Sequence, residues 1–309
     1  MIGAVPLALL LDALIGDPDR VWRRLPHPVV WFGRLIHHLD ATFNRGGGKT
    51  AKGALALAIA VAAWAIPAAA LSVLCDALGV AGLALEVVVA SVFLAHNSLH
   101  VHVRRVLDAP DITAARRALS MIVGRDTKDL DETAVNRANI ETLSEGVCDG
   151  VVAPAFWFAV GGLGGLVAYK VVNTADSMIG HRTPRHEAFG FAAAKVDDLM
   201  NLAPARLTAV LTAIAAPGLW AKRERVVRDA RRHVSPNAGW AEAAFAYALN
   251  VSLGGPRRYG SRAVDGVWLN QDGTPPRPDD VRRALSLSKR IGAVQIAAYG
   301  LVAATIALV

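Results

Sequence analysis

GALALAIAVAAWAIPAAALSVLC (53–75) and GVAGLALEVVVASVFLAHN (79–97) are two apolar runs with three residues between them. A membrane helix needs about 20 predominantly apolar residues, so the pair reads as two spans joined by a tight turn. Outward from this pair lie four more apolar segments, 2–16, 151–172, 205–220 and 290–309. Of these only 290–309 is long and continuous enough to span. The first is short and holds Asp12. The fourth is broken by Gly161, Gly162, Gly164 and Gly165. The fifth has Arg206 near its start and Pro217 near its end. Glu86, inside the third run, is costly in lipid and is expected to face protein or water.

Composition agrees. Apolar residues make up 53% of the 309 and mean hydropathy is +0.36, which fits a membrane protein with substantial aqueous loops. The net charge of +7 can indicate nucleic acid or a membrane surface. Here Lys and Arg fall between apolar runs, so the membrane explains them and no nucleic acid is expected. The two cysteines, Cys75 and Cys148, form no CxxC, so neither a disulfide framework nor a zinc site is indicated. The N-terminal run lacks a basic region before it and a cleavage motif after it, and reads as a retained segment rather than a signal peptide.

Seven basic residues fall in 17–52, seven in 98–146 and twelve in 221–288. The positive-inside rule places these loops on one side, the cytoplasm. The stretch 173–204, with Arg182, Arg185 and Lys195, is ambiguous: it lies outside if the fourth and fifth segments span, and inside if they re-enter. Polar regions read as helical, with Asp129 and Glu132 resembling a capping box that opens a helix to about Leu143. The Gly- and Pro-rich stretch 254–278 reads as loop. The expected fold is all-α: one polytopic integral membrane domain over 1–309 with helical cytoplasmic loops and re-entrant segments.

Four clusters carry residues capable of chemistry. Asp12, Gly16-Asp17-Pro18 and His27-Pro28 form the first, though Gly-Asp-Pro is also an ordinary helix stop. Arg137, Glu141, Glu145 and Asp149 step by four along one drifting helix face. That is either a solvated face or a set of acids held at the membrane boundary for use. The third holds Lys170, Asn173, Asp176, Ser177, Gly180, Arg182, Lys195, Asp197, Asp198 and Asn201. Paired carboxylates with an amide are hard oxygen ligands suited to Mg²⁺, and the nearby cations suit phosphates. The bland alternative is a charged interhelical loop. The fourth is Ser235-Pro236-Asn237-Ala238-Gly239 with the Gly254–Gly260 stretch that includes Tyr259. It is either a helix start and a turn, or a phosphate cradle.

Two patterns mislead. Gly46-Gly47-Gly48-Lys49-Thr50 resembles the end of a P-loop, but Phe43 stands where the pattern needs Gly and no strand precedes it. His96, His100 and His102 include an i,i+4 pair, but no carboxylate or Cys follows at ligand spacing.

Taken together, DALIGDP (12–18), HPVVWFGRLI (27–36), GRDTKDLD (124–131), ETLSEGVCDGVVAPAFW (141–157), AYKVVNTADSMIGHRTPRHEAFGFAAAKVDDLMNLAPARLTA (168–209) and VSPNAGWAEAAFAYALNVSLGG (234–255) resemble, in order and spacing, the CobD/CbiB family of cobalamin-biosynthesis membrane proteins. The resemblance covers nearly the whole chain. One departure is Glu145-Gly146, where the family usually reads Glu-Asn; a substrate contact made by that Asn is either lost here or moved to Asn139.

The resemblance implies an adenosylcobinamide-phosphate synthase. ATP would activate the free propionate of adenosylcobyric acid, and the amine of (R)-1-amino-2-propanol or of its O-phosphate would attack to give the amide. The implied cofactors are ATP and Mg²⁺, with Asp197 and Asp198 holding the metal. Glu141, Glu145 or Asp176 would take the proton from the attacking ammonium. Asp17, His27, Arg125, Arg137, Lys170, Asn173, Ser177, Arg182, Lys195, Asn201, Asn237 and Tyr259 would line the ATP and substrate sites. The implied location is the bacterial inner membrane with the active face cytoplasmic, amid lipid and in contact with other enzymes of the same pathway. Because ATP is cytoplasmic, 151–172 and 205–220 are expected to re-enter, and the first, second, third and sixth segments to span, with both termini periplasmic. A membrane sensor or regulator, a transporter and an intramembrane prenyltransferase are the competing readings; corrinoid-dependent ATP hydrolysis separates the ligase from all three.

Overall fold

The computed structural model describes residues 2–308 apart from 125, 260, 261 and 265, with the backbone alone at 19, 20, 257–259 and 262–264. Among the described residues the chain is overwhelmingly helical. In chain order the helices are α1 (Ala4–Ile15), α2 (Asp19–Trp22), α3 (Pro28–Phe43), α4 (Lys49–Ala77), α5 (Gly79–Ser91), α6 (His96–Leu107), α7 (Ile112–Leu119), α8 (Glu132–Val147), α9 (Ala153–Ala175), α10 (Phe191–Met200), α11 (Leu202–Ala215), α12 (Arg223–Arg232), α13 (Ala238–Leu249) and α14 (Pro278–Ala307). Two π-helical turns, Cys148–Val152 and Asp176–Gly180, flank α9, and a 3₁₀ turn covers Pro217–Lys222.

Four helical stretches are long and apolar enough to cross a membrane: Lys49–Ala77, Gly79–Leu107, Glu132–Gly180 and Pro278–Ala307. The protein is therefore an all-α polytopic membrane protein. The second, third and sixth apolar segments fall within these stretches. The first does not: α1 has 12 residues, about 18 Å of helix against about 30 Å of hydrocarbon. The remaining long stretch, Glu132–Gly180, contains the broken segment 151–172 instead.

The chain divides into two compact units, one made of 1–94, 153–201 and 299–309, the other of 95–152 and 202–298. In the first unit α4 and α5 form a hairpin turned at Gly79, where φ is +59°. The helices touch so closely that a Cβ on Gly82 would lie 1.8 Å from the Cys75 carbonyl oxygen. Glu86 faces protein, as expected, and accepts a hydrogen bond from the Ser72 hydroxyl at 2.5 Å. The outside of α4 stays apolar, with Ile66 and Val73 about 70% exposed (67% and 70%), as a lipid-facing surface requires.

The glycine break in the fourth segment is a chain reversal. Gly161 and Gly162 leave helical geometry (φ −129°, ψ 18° and φ 58°, ψ −154°). After them a Cβ on Gly165 would lie 2.5 Å from the Trp157 carbonyl oxygen, eight residues back. In a straight helix those positions are about 12 Å apart along the axis. The returning leg runs antiparallel to α4: a Cβ on Gly164 would meet Ala69 at 2.9 Å, and farther on the loop 181–190 reaches the start of α4. There a Cβ on Gly53 would lie 1.9 Å from the Phe189 carbonyl oxygen, and Arg185 grips Asp40 near the end of α3 through Nη2 at 2.6 Å. The ambiguous loop therefore sits at the same end of α4 as the basic loop 17–52.

In the second unit α6, α8, α11, α13 and α14 enclose a core that includes Val103, Ile140, Leu143, Phe245, Leu253, Leu269 and Val281. Three details differ from the sequence reading. The cap of α8 is Asp131, which accepts from the Ala134 N–H at 2.7 Å, two residues after the expected Asp129. The stretch 254–278 is not all loop: β1 (Leu253–Gly254) pairs with β4 (Trp268–Leu269), and β2 (Arg257–Tyr259) with β3 (Arg262–Val264), all antiparallel. The fifth segment stays α-helical only to Ala215, and Pro217 begins the 3₁₀ turn.

Gly162 holds a backbone conformation open almost only to glycine, whereas Gly161 has φ −129° and open space where a Cβ would go. Gly162→Ala should lower the thermal midpoint in detergent, by about 1–3 kcal/mol of strain, and Gly161→Ala should leave it nearly unchanged. Equal effects of the two would contradict the hairpin.

Candidate functional site

The π turn Asp176–Gly180 directly follows the returning leg of α9. π turns place side chains out of the regular helical register and recur at functional sites. Here Asp176 Oδ1 occupies the space of the Gly180 Cβ, at 1.9 Å from where that atom would sit. This explains the glycine of NTADSMIG: any side chain there would push the carboxylate away.

α10 faces this turn and supplies Asp197. Its two oxygens accept from the Asn173 side-chain amide at 3.2 Å and the Asn201 amide at 3.0 Å. Asn201 in turn accepts from the buried Tyr169 hydroxyl at 3.0 Å. The row Tyr169–Asn201–Asp197–Asn173 is thus a continuous polar network, and α10 is anchored to α9 again by the Trp157 indole N–H on the Met200 carbonyl at 3.1 Å. Burial above all, with the Asp176 and Asp198 carboxylates beside it, outweighs the two amide hydrogen bonds and raises Asp197 from its ordinary 3.8 to about 6. Three carboxylates therefore share one electrostatic neighbourhood that favours a cation or a proton.

The remaining residues of the third cluster surround this network. Lys195 Nζ lies 3.5 Å from Asp198 Oδ2. The Ser177 hydroxyl donates to the Asn173 carbonyl at 2.9 Å. Arg182 is exposed in the loop after the π turn, and Lys170 is half-buried on α9. His27 caps α3, its Nδ1 accepting from the Val29 N–H at 3.2 Å while Nε2 lies 3.1 Å from the Val92 carbonyl. One neutral tautomer, with the proton on Nε2, satisfies both. Burial lowers the His27 pKa and nearby Lys170 adds to that, against Asp17 and the Val92 carbonyl; Asp17 Oδ1 is 3.8 Å away.

Other candidates belong to the second unit. Glu141 is buried, and its Oε1 accepts from the Gly254 N–H at 2.7 Å. Arg137 Nε donates to the Ser252 carbonyl at 3.3 Å, and its guanidinium covers the Trp268 ring at 4.7 Å. Glu145 lies one turn beyond Glu141 on α8, half-buried. Gly254 and Gly255 have φ of +76° and +82°, and their N–H groups are engaged by Glu141 and the Val267 carbonyl. These two N–H groups are therefore satisfied within the fold. Asn237 is buried and accepts from Arg206 at 2.8 Å, the Arg lying over Trp240. Arg125 lies outside the described residues, as does the side chain of Tyr259, whose backbone is in β2.

Gly146 has a packing reason: a Cβ would meet Leu99 at 2.7 Å, so glycine lets α8 approach α6. Asn139 is fully buried, and its amide donates to the Val103 carbonyl at 3.1 Å. His96 and His100 pack edge to face, with His100 against Ser288, and among the described residues no group of three His, Cys, Asp or Glu forms a metal cage. Sequence reasoning missed Asp40, whose buried carboxylate accepts from Arg185 and Asn44 and lies 3.4 Å from His186. Burial opposes its ionisation, but these hydrogen bonds outweigh that and hold it below the usual carboxylate range. HRTPRHE (181–187) signalled such a carboxylate without saying where on the chain it lies.

Residues 5–288 match the family model for the CobD/Cbib protein. Among curated relatives, the cobalamin biosynthesis protein CobD of Sinorhizobium fredii is 47% identical, with 92% of this chain and 91% of that protein covered. The protein of the same name from Rhodobacter capsulatus is 44% identical over 96% of both chains, and that from Rhizobium meliloti is 49% identical over 86% of both. No solved structure matches the chain.

The raised pKa has a stability consequence. Asp197 contributes stability that is fully present below about pH 3.8 and is lost as pH rises through about 6. Asp197→Asn removes that loss. In chelator, the thermal midpoint of the wild-type protein should fall between about pH 4 and pH 6 relative to the variant; parallel pH profiles would contradict the assignment.

Proposed function

The chain belongs to the CobD/Cbib family, and from that membership we propose that it acts in cobalamin biosynthesis as an ATP-dependent ligase, joining adenosylcobyric acid to (R)-1-amino-2-propanol or its O-phosphate. The observation that carries the reading is the Asn173–Asp197–Asn201–Tyr169 network beside Asp176 and Asp198. A sensor or regulator would have little need for such a network.

The donor set fits Mg²⁺. Asp197 and Asp198 offer hard oxygens, and Mg²⁺ is commonly held by one or two carboxylates plus substrate phosphates rather than by an all-protein cage. When bound, the ion would neutralise charge on the transferred phosphoryl oxygens. Lys170, Arg182 and Lys195 contact the phosphates, and Asn173 and Asn201 hold Asp197 in place for them. An ionised carboxylate is a poor electrophile, so the corrinoid carboxylate oxygen takes the γ-phosphoryl group of ATP and ADP leaves. The amine then attacks the acyl carbon, the C–N bond forms and inorganic phosphate departs. Asp176, Glu145 or Glu141 accepts the ammonium proton. Asp17, His27, Ser177, Arg125, Arg137, Asn237 and Tyr259 shape the binding surfaces.

The same reading puts the protein in the bacterial inner membrane with its active face cytoplasmic, where ATP is. The shared end of α4 occupied by the 181–190 loop and by the basic loop 17–52 supports it. A cysteine replacing exposed Glu187 should react with a membrane-impermeant thiol reagent only in inverted vesicles; reaction in intact spheroplasts would overturn this topology.

Asp198→Ala should reduce corrinoid-dependent ADP release by about 100-fold or more while leaving membrane expression intact. Retained turnover would remove Asp198 from the metal site, and absence of corrinoid-dependent ADP release from the wild-type protein would remove the ligase.

A further inference from the structure

Within the second unit α6 and α14 run antiparallel. A Cβ on Gly292 would lie 2.6 Å from the His96 ring, and His100 Nε2 lies 3.0 Å from Ser288 Oγ. Continuing this register past Ser288, the helices part to leave a groove of about 360 Å³ with Leu107 and Leu285 among its walls. Arg104 comes from α6, and Lys289 and Arg282 from α14; Asp108 also lines it. Arg282 is held by Asp279. Neither Arg104 nor Lys289 has a carboxylate within ion-pair distance among the described residues.

The groove's position says what these cations meet. The apolar run of α14 begins at Ile291, directly after Lys289 and Arg290, and the apolar run ending at 97 leads into α6. Because the helices are antiparallel, both leave their apolar runs at the same level. Lys289 then stands at the edge of the hydrocarbon and Arg104, on the helix that leaves its apolar run at 97, about two helical turns or roughly 10 Å outside it, since a turn rises about 5.4 Å. The two cations thus bracket the layer of lipid phosphates, which adds about 5–8 Å to each side of the hydrocarbon. Basic pockets between membrane helices at this depth take anionic headgroups, and Leu107 and Leu285 offer apolar wall to the first carbons of an acyl chain.

We propose that the α6–α14 groove binds the phosphodiester headgroup of an anionic phospholipid, with Arg104 and Lys289 as its anchors. Asp108 tempers the positive field without cancelling it. The site is independent of the ligase reading.

The test uses the full-length protein, delipidated in detergent and titrated with phosphatidylglycerol, phosphatidylcholine or inorganic phosphate, with binding read by native mass spectrometry. The wild-type protein should retain phosphatidylglycerol in preference to phosphatidylcholine. The Arg104→Gln/Lys289→Gln double variant should bind it about 30-fold more weakly, at about fivefold per cation. Arg117→Gln/Arg225→Gln, which removes two exposed cations elsewhere, should bind as wild type. The charge-keeping pair Arg104→Lys/Lys289→Arg should also retain binding, which separates lost charge from a lost fold. Equal affinity for the two lipids, or an unaffected double variant, overturns the proposal. Displacement of the lipid by millimolar inorganic phosphate marks a free-anion site instead and overturns it equally.

Discussion

The packing of the returning α9 leg against α4 is the contact on which the candidate chemistry depends. Backbone at membrane depth must satisfy its polar groups internally, and here two helical legs do so with two glycines forming the reversal between them. Small residues then let the leg lie close: Gly164 meets Ala69, and at the other end Gly53 admits the Phe189 carbonyl. Between these two points the leg carries Asn173 and leads into the Asp176 turn, facing Asp197. Asp40 fastens the following loop by accepting from Arg185 and Asn44. The polar network is therefore held by rigid elements at both ends, which is what a site must have if its carboxylates are to stay crowded instead of relaxing apart.

Crowding is the second physical theme. Asp197 accepts two amide hydrogen bonds that favour its ionised form, and burial beside two other acids disfavours it more. A group poised in this way prefers a cation nearby. The second unit handles its acids differently. Glu141 engages a backbone N–H that begins a glycine turn, and Arg137 is spread over an indole, so these two also organise the local fold around the β1–β4 pair.

Much of this was legible in the sequence, and the reasons are specific. The α4–α5 pair follows from run length alone. The hairpin follows from four glycines in one apolar segment. The NTADSMIG and KVDDLMN stretches announce themselves because carboxylates and amides recur at helical spacing beside cations. What was not legible depends on partners distant in sequence. Asp40 meets Arg185 across 145 positions, and Gly254 meets Glu141 across 113; no local pattern encodes either. The cap of α8 was misplaced because Asp129 and Asp131 are both good caps, and only the position of the first helical turn decides between them. α1 was expected to span because the topology was drawn from the side on which ATP lies, although its 12 residues are short for a span.

The central claim is that a corrinoid carboxylate is activated by phosphoryl transfer and then captured by an amine. The most direct measurement supplies purified protein with Mg²⁺–ATP, aminopropanol phosphate and adenosylcobyric acid whose free carboxylate carries heavy oxygen, and follows the label by mass spectrometry. The account predicts an amide product with one labelled oxygen transferred to inorganic phosphate for each amide formed. Amide formation with no label in phosphate would contradict activation through an acyl phosphate, and folded protein that forms no amide with either amino-alcohol would contradict the ligase itself.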